Sequence, residues 1–372
     1  MSVRLGLRSL RTATKDLPFR GVRYHHASPG ESWHLGCAVA FDIDGVLTKG
    51  KRAIPSAIVA MKKMNGANRW GKKLPYILLT NGGGVTEAEK AHEISAELGV
   101  NISPNQVVLS HSPMKSLLQK HQDHHILVVG GAGRRCADVA AHYGFTKVSI
   151  PEDIIAWNPS VWPFTDAKPY AEPQCDYSRE PIDAIMMLYD SRDWGRDLQI
   201  ITDILQSPSR TLGQVHGRQG PQSTPVYFSN PDIVWSNEFP TPRFAQGCFR
   251  LALQALYKQL SGHDLEYQLF GKPHAATYTY ALDVLRGWGQ HLTREHGLPA
   301  YAPPMTYYAI GDNPESDVRG ANGQGWHSIL VRTGIYQHPH QVAHDPQLQA
   351  RHVVEDVDQA IDLILERELG SP

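Results

Sequence analysis

The chain has 372 residues, more than one ordinary hydrophobic core accommodates, so two modules are the expectation. A formal net charge of −1 gives no bulk electrostatic pull on nucleic acid, and 41% hydrophobic against 20% charged residues is the balance of a soluble globular protein. Cys37, Cys136, Cys175 and Cys248 are far apart and form no Cys-x-x-Cys, which excludes a disulfide framework and a cysteine zinc site.

Residues 1–30 carry Arg4, Arg8, Arg11, Lys15, Arg20 and Arg23 against one acid, Asp16. Wound as a helix, Arg4, Arg8 and Arg11 form a stripe beside Val3, Leu7 and Leu10. A basic, acid-poor, amphipathic start of this kind reads as a mitochondrial presequence, assigned here to residues 1–34. No apolar run reaches the length of a transmembrane helix.

From Cys37 onward, short apolar runs alternate with helical periodicity, which predicts βα units and a mostly parallel sheet. Strands are expected at 37–42, 76–80, 107–110, 126–130, 184–189, 226–229, 267–270, 306–311, 328–332 and 352–355. Helices are expected at 55–65, 86–98, 113–121, 134–143, 194–205, 247–261, 275–292 and 356–368. Two irregular stretches, the proline-rich 151–181 and the Gly/Pro/Gln-rich 207–225, interrupt this rhythm mid-chain. The pattern is that of a core, an insertion and a return to the core.

The first strand ends in Phe41-Asp42-Ile43-Asp44-Gly45. Side chains two apart on a strand share a face, so Asp42 and Asp44 project together while Ile43 turns into the core. Paired carboxylates there sit where open α/β sheets place their ligands. The second strand ends in Thr80-Asn81-Gly82-Gly83-Gly84, whose side-chain donors and open backbone N–H groups are the parts of a phosphate cradle. Gly130-Gly131-Ala132-Gly133 lacks the full dinucleotide fingerprint, because Cys136 stands in the last place; it reads as a tight strand–helix turn. His121, His124 and His125 have no tight ligand spacing and read as surface histidines, as do His338, His340 and His344. Lys272, in Gly271-Lys272-Pro273, could neutralise a phosphoryl group and a neighbouring carboxylate. Gly311-Asp312-Asn313-Pro314-Glu315-Ser316-Asp317 places two acids after a strong strand, and converging carboxylates suit a hard divalent cation such as Mg²⁺.

Asp-x-Asp, Thr-Asn, Lys and Gly-Asp-x₄-Asp, in that order and each at a strand's carboxyl end, resemble the haloacid dehalogenase (HAD) superfamily. Asn230-Pro231-Asp232 in the insertion and the Gly-Lys-Pro form of the lysine motif resemble its class IIA phosphatases. Within that group, Asp-Ile-Asp-Gly-Val-Leu and Leu-Thr-Asn-Gly-Gly-Gly are most similar to the mitochondrial subgroup named after the cat-eye-syndrome critical region. The resemblance covers about residues 37–368 and implies an α/β, Rossmann-like core, formed by 35–122 and 267–372, with an inserted α/β cap at 123–266.

It further implies an aspartyl-phosphate on Asp42, acid–base work by Asp44, phosphoryl binding by Thr80, Asn81 and Lys272, and Mg²⁺ held by Asp42, Asp44, Asp312 and Asp317. Asp44 and Asp312 together favour phosphate chemistry over dehalogenation. The expected partner is a small phosphate ester, with a link to glycerophospholipid metabolism and pairing of two chains through the cap. The expected location is the mitochondrial matrix. Specificity must come from the insertion, and Glu238 and Arg243 in its last loop are the candidates. The competing reading is a HAD-fold scaffold with weak turnover.

Overall fold

The computed structural model describes residues 32–164, 174–214, 222–298, 302–336 and 345–370. Residues 1–31 of the expected presequence, and His338, His340 and His344, lie outside the described residues; its last part, Ser32–Trp33, pairs with Lys72–Lys73. In chain order the principal elements begin with β1 (Cys37–Phe41), α1 (Pro55–Met64), β2 (Tyr76–Leu79), α2 (Glu87–Leu98) and β3 (Val107–Val108). Next come β4 (His125–Val129), α3 (Arg135–Tyr143), β5 (Lys147–Ser149), α4 (Pro151–Trp157), β6 (Ala184–Met187), α5 (Trp194–Leu205), β7 (Val226–Phe228), α6 (Gln246–Ser261) and β8 (Gln268–Leu269). The chain returns through α7 (Ala275–His296), β9 (Thr306–Gly311), β10 (His327–Val331), β11 (His352–Val354) and α8 (Val357–Leu369).

Two parallel sheets organise these elements. The first has the order β11-β10-β9-β1-β2-β3, the second β8-β7-β6-β4-β5. Strands buried on both faces read as unbroken apolar runs, and Cys-Ala-Val-Ala-Phe of β1 is buried throughout. Its period of two still sorts the side chains. Val39 and Phe41 pack with Met61, Ile361 and Leu365, whereas Ala38 and Ala40 meet Tyr278, Ala281 and Leu285 of α7. The second sheet divides likewise: Leu127, Val129, Ile185 and Met187 pack on α5 and α6, while Ile126, Val128 and Met186 pack on α3. Helix α2 shows how locally such elements are specified. Thr86 and Glu89 form a reciprocal capping box, and Gly99 ends the helix at φ 66°.

The structure corrects four expectations. The strand at 267–270 belongs to the inserted sheet, because Tyr227 and Phe228 pair with Gln268 and Leu269, and Phe270 packs on the same side as Met186. The second sheet therefore takes a strand that ends at Leu269, past the boundary expected at 266. The helix expected at 113–121 is a 3₁₀ turn, Ser112–Leu117, followed by one α-turn; its Met114 and Leu117 pack on the inserted sheet. The stretch 151–181 opens with an ordered helix, α4, in which Pro151 occupies the first turn, where no N–H is needed, and Glu152 and Asp153 meet the helix dipole. His121 is buried and bonds the Tyr227 hydroxyl at 2.9 Å, so it is a core histidine.

Phe228 is fully buried between the strands and helices of the insertion. Phe228→Ala should cost about 3–5 kcal/mol in chemical denaturation, with the loss confined to the inserted unit where the two unfold separately.

Candidate active site

Strand ends of the first sheet bring the acids together. The backbone N–H of Asp42 donates to the Ile310 carbonyl at 2.9 Å, which fixes the end of β1 against β9, and Ile43 is buried below it as expected. Carboxylate oxygens of Asp42, Asp312 and Asp317 all lie within 4.8 Å of one another, and all three residues are buried. Asp312 accepts from the Ile335 N–H at 2.7 Å, and Asp317 from the Asn313 N–H at 3.0 Å. The half-buried Asp44 carboxylate faces the same cavity but stands outside that trio.

Lys272 enters from the edge of the inserted sheet. Its ammonium donates to Asp42 at 2.8 Å and to Asp317 at 2.6 Å. Burial works against this charge, but the Asp317 and Asp42 carboxylates outweigh it and hold the lysine pKa above its usual value. The acids behave oppositely. Burial first, opposed by Lys272 and reinforced by neighbouring acids, raises the Asp42 pKa; burial, then the charges of Asp42 and Asp317, raises that of Asp312. Three buried carboxylates share a single buried ammonium, a surplus of negative charge bounded entirely by oxygen donors. That donor set fits a hard divalent cation, with Asp42, Asp312 and Asp317 to hold it.

Thr80 accepts from the Gly82 N–H at 2.9 Å, which leaves its own O–H as a donor at the cavity. The Asn81 side chain is engaged within the protein. Its Oδ1 accepts from the Lys272 N–H at 2.7 Å, while its Nδ2 donates to the Lys272 carbonyl and to Asp232, both at 2.9 Å. Both amide hydrogens are committed, so this side chain clamps the lysine. Asp232, of the Asn-Pro-Asp stretch, was not read as a site residue; burial pushes its pKa up to about 7, against the Asn81 hydrogen bond.

A cavity of about 680 Å³ lies over these groups, lined by both sheets' loops. The insertion contributes Tyr189, Asp190, Arg192, Trp194, Trp235 and Phe244. Of the two specificity candidates, Arg243 lines this cavity. Glu238 does not: its side chain lies against Gly50 and lines a shallow neighbouring depression with Lys49 and Arg52. Proximity in sequence did not translate into a shared cavity: Asn237 lines the main cavity and Glu238 the neighbouring depression, on either side of Gly50.

Gly311 illustrates how tightly the acids are seated. A Cβ there would lie 2.1 Å from Asp317 Cγ, so the carboxylate occupies space that any other residue would fill. Gly311→Ala should displace Asp317 from Lys272 and lower activity about a hundredfold, measured as kcat/KM alongside the melting temperature.

The sequence matches the haloacid dehalogenase-like hydrolase family over residues 39–146 and a HAD-hydrolase-like family over 269–360. A mitochondrial hydrolase of Saccharomyces cerevisiae is 37% identical over 348 residues, covering 89% of this chain and 96% of that protein. A cardiolipin synthase (CMP-forming)/mitochondrial hydrolase fusion protein of Schizosaccharomyces pombe is 37% identical over 342 residues, 89% of this chain, which spans 53% of the fusion. Among solved structures, a glycerol phosphate phosphatase of Mycobacterium tuberculosis in complex with magnesium superposes with a TM-score of 0.55 at 17% identity, covering 87% of this chain and 75% of that one. The chain belongs to the haloacid dehalogenase-like hydrolases and is an enzyme with the fold of the superfamily's class IIA phosphatases.

Proposed function

We propose that the protein is a Mg²⁺-dependent phosphohydrolase of a small phosphate ester, working through an aspartyl-phosphate. The observation that carries this reading is the buried Lys272 ammonium between Asp42 and Asp317, within a carboxylate trio that wants a divalent cation. Asp42 attacks phosphorus as the bond to the ester oxygen breaks, and Asp44 gives that oxygen its proton. Asp44 then takes a proton from the water that cleaves the acyl phosphate, returning Asp42 and releasing inorganic phosphate. Lys272 and the Thr80 hydroxyl hold the phosphoryl oxygens, and Asn81 keeps the lysine in place. Bound Mg²⁺, held by Asp42, Asp312 and Asp317 and by the Asp44 backbone as the family resemblance implies, supplies Lewis-acid compensation of phosphoryl charge.

The mitochondrial relatives and the basic start of the chain support a mitochondrial location, with the matrix as its compartment. The fusion of a similar chain to a cardiolipin synthase, and the glycerol phosphate phosphatase likeness, support a glycerol-phosphate type of ester and a link to glycerophospholipid metabolism. Pairing of two chains through the insertion has an exposed apolar pair in Leu256 and Leu260, four residues apart on α6 and 43% and 50% exposed; a monomer in sedimentation would remove that part.

Asp42→Asn should lower phosphate release about a thousandfold or more, without loss of the folded state, on a panel of esters with and without Mg²⁺. Wild-type-like turnover by that variant defeats the mechanism. Asp312→Asn should raise the Mg²⁺ concentration needed for half-maximal rate about tenfold or more, with partial recovery at high metal. Residues 1–30 fused to a reporter should import into mitochondria. Import that survives Arg4, Arg8 and Arg11 all changed to Glu would remove the presequence reading.

A further inference from the structure

The cavity is larger than a phosphoryl group and its metal require, and its remaining charges are unevenly committed. Lys90, on its wall, pairs with Glu93 at 2.7 Å, and Lys272 is held by Asp42 and Asp317. The other cations on the wall are Lys51, Arg192 and Arg243, and none has a carboxylate within ion-pair distance among the described residues. They come from separate segments. Lys51 sits at the turn between the short strands Thr48–Lys49 and Arg52–Ala53 of the core. Arg192 lies between β6 and α5, its guanidinium 5.5 Å from the Tyr189 ring. Arg243 opens the short strand Arg243–Phe244 and is held in place by the Thr241 hydroxyl at 2.9 Å and the Phe239 ring at 4.6 Å.

Acids left on the wall are fewer than these cations. Glu93 pairs with Lys90, and outside the catalytic group only Asp190 and Asp232, the latter accepting from the neutral Asn81 amide, are left to face Lys51, Arg192 and Arg243. Burial raises the Asp190 pKa to about 6, against the charge of nearby Arg192 and a bond from the Gln246 backbone. Cations from separate loops converging on one cavity, one of them already oriented by a hydroxyl and a ring, are the donors that an oxyanion with several free oxygens requires. Resting on the phosphatase reading, we infer that the substrate's alcohol carries a second anion, a phosphodiester, received by Lys51, Arg192 and Arg243 while the monoester phosphate sits at Asp42. Exposed Phe239 and Phe244, at 58% and 71%, beside Arg243 leave room at the mouth for either a free diester or a lipid headgroup.

The test is a two-by-two set of esters with Mg²⁺: glycerol 3-phosphate, dihexanoyl phosphatidic acid, glycerophosphoglycerol phosphate, and the dihexanoyl form of the last. In the wild type the second phosphodiester should raise kcat/KM about tenfold or more, and Arg192→Gln/Arg243→Gln should bring that ratio to within about twofold of one. A ratio equal with and without chains assigns the diester to a water-soluble ester, and a ratio confined to the chain-bearing pair assigns it to a lipid headgroup. A wild-type ratio under about twofold, or one that the double variant keeps, overturns the subsite. Calorimetric titration of Asp42→Asn with the same esters reads the preference without turnover. Preference in binding with no hydrolysis of any ester by the wild type would refute the phosphatase reading and leave the subsite standing; hydrolysis without preference would do the reverse.

Discussion

Everything in this site depends on one buried ammonium. Without Lys272, Asp42, Asp312 and Asp317 would stand as unpaired acids within 4.8 Å of one another in a buried pocket, an arrangement that protonation would relieve at the expense of nucleophilicity. Breaking a buried pair of this kind costs about 3–5 kcal/mol because the stranded charge cannot reach water. The lysine does not come from the sheet that carries the acids. It follows β8 of the inserted sheet, so the docking of the two sheets and the charge balance of the site are one event. Asn81 enforces that docking by grasping the lysine's own backbone at both N–H and C=O, with Asp232 of the insertion as the amide's remaining partner.

How much was legible in the sequence follows from which interactions are local. Asp42, Asp44, Thr80 and Asp312 could be placed because each follows an apolar run closely, and strand periodicity fixes where the next side chain points, whereas Asp317 lies in the helical turn Pro314–Val318 beyond β9. Lys272 was read as a charge-neutralising group for the same reason, although the strand before it was given to the wrong sheet. Two parallel sheets offer a strand the same apolar pattern, and the choice between them is made by an open edge, here that of β7. The partners of the Asn81 amide, Asp232 and Lys272, are 151 and 191 residues away and could not be read from the sequence. Its chemistry was visible in the sequence, and its occupancy was not. The cavity wall of the insertion was the least legible part. Asp190 and Arg192 follow β6 in a loop and Trp194 opens α5, and only packing brings them to the cavity that Arg243 also lines.

The glycine run after Asn81 has a packing reason. A Cβ on Gly83 would lie 2.8 Å from the His111 ring, and one on Gly84, at φ 77°, would lie 2.7 Å from the Tyr189 ring. The loop is pressed between a core histidine and the insertion. Burial depresses the His111 pKa to about 4, so the ring is neutral, and its Nε2 accepts from the Gly84 N–H at 3.2 Å. The proton must then sit on Nδ1, which donates to the Tyr143 hydroxyl at 2.8 Å; Tyr143 in turn donates to Glu87 at 2.9 Å. Ser112 and Lys115 complete the shell of Glu87 at 2.6 and 2.9 Å. With Nε2 accepting from Gly84, the directions of the bonds from His111 through Tyr143 to Glu87 follow. Tyr143 belongs to α3 of the insertion and Glu87 to α2 of the core, so a fully satisfied polar network spans the junction and ends on the loop that presents Thr80. Three glycines in a row would ordinarily leave a loop free to sample many conformations. Here the network and the two rings hold that loop from both sides, and the absent side chains are what let the two units close on the Thr80 end of β2.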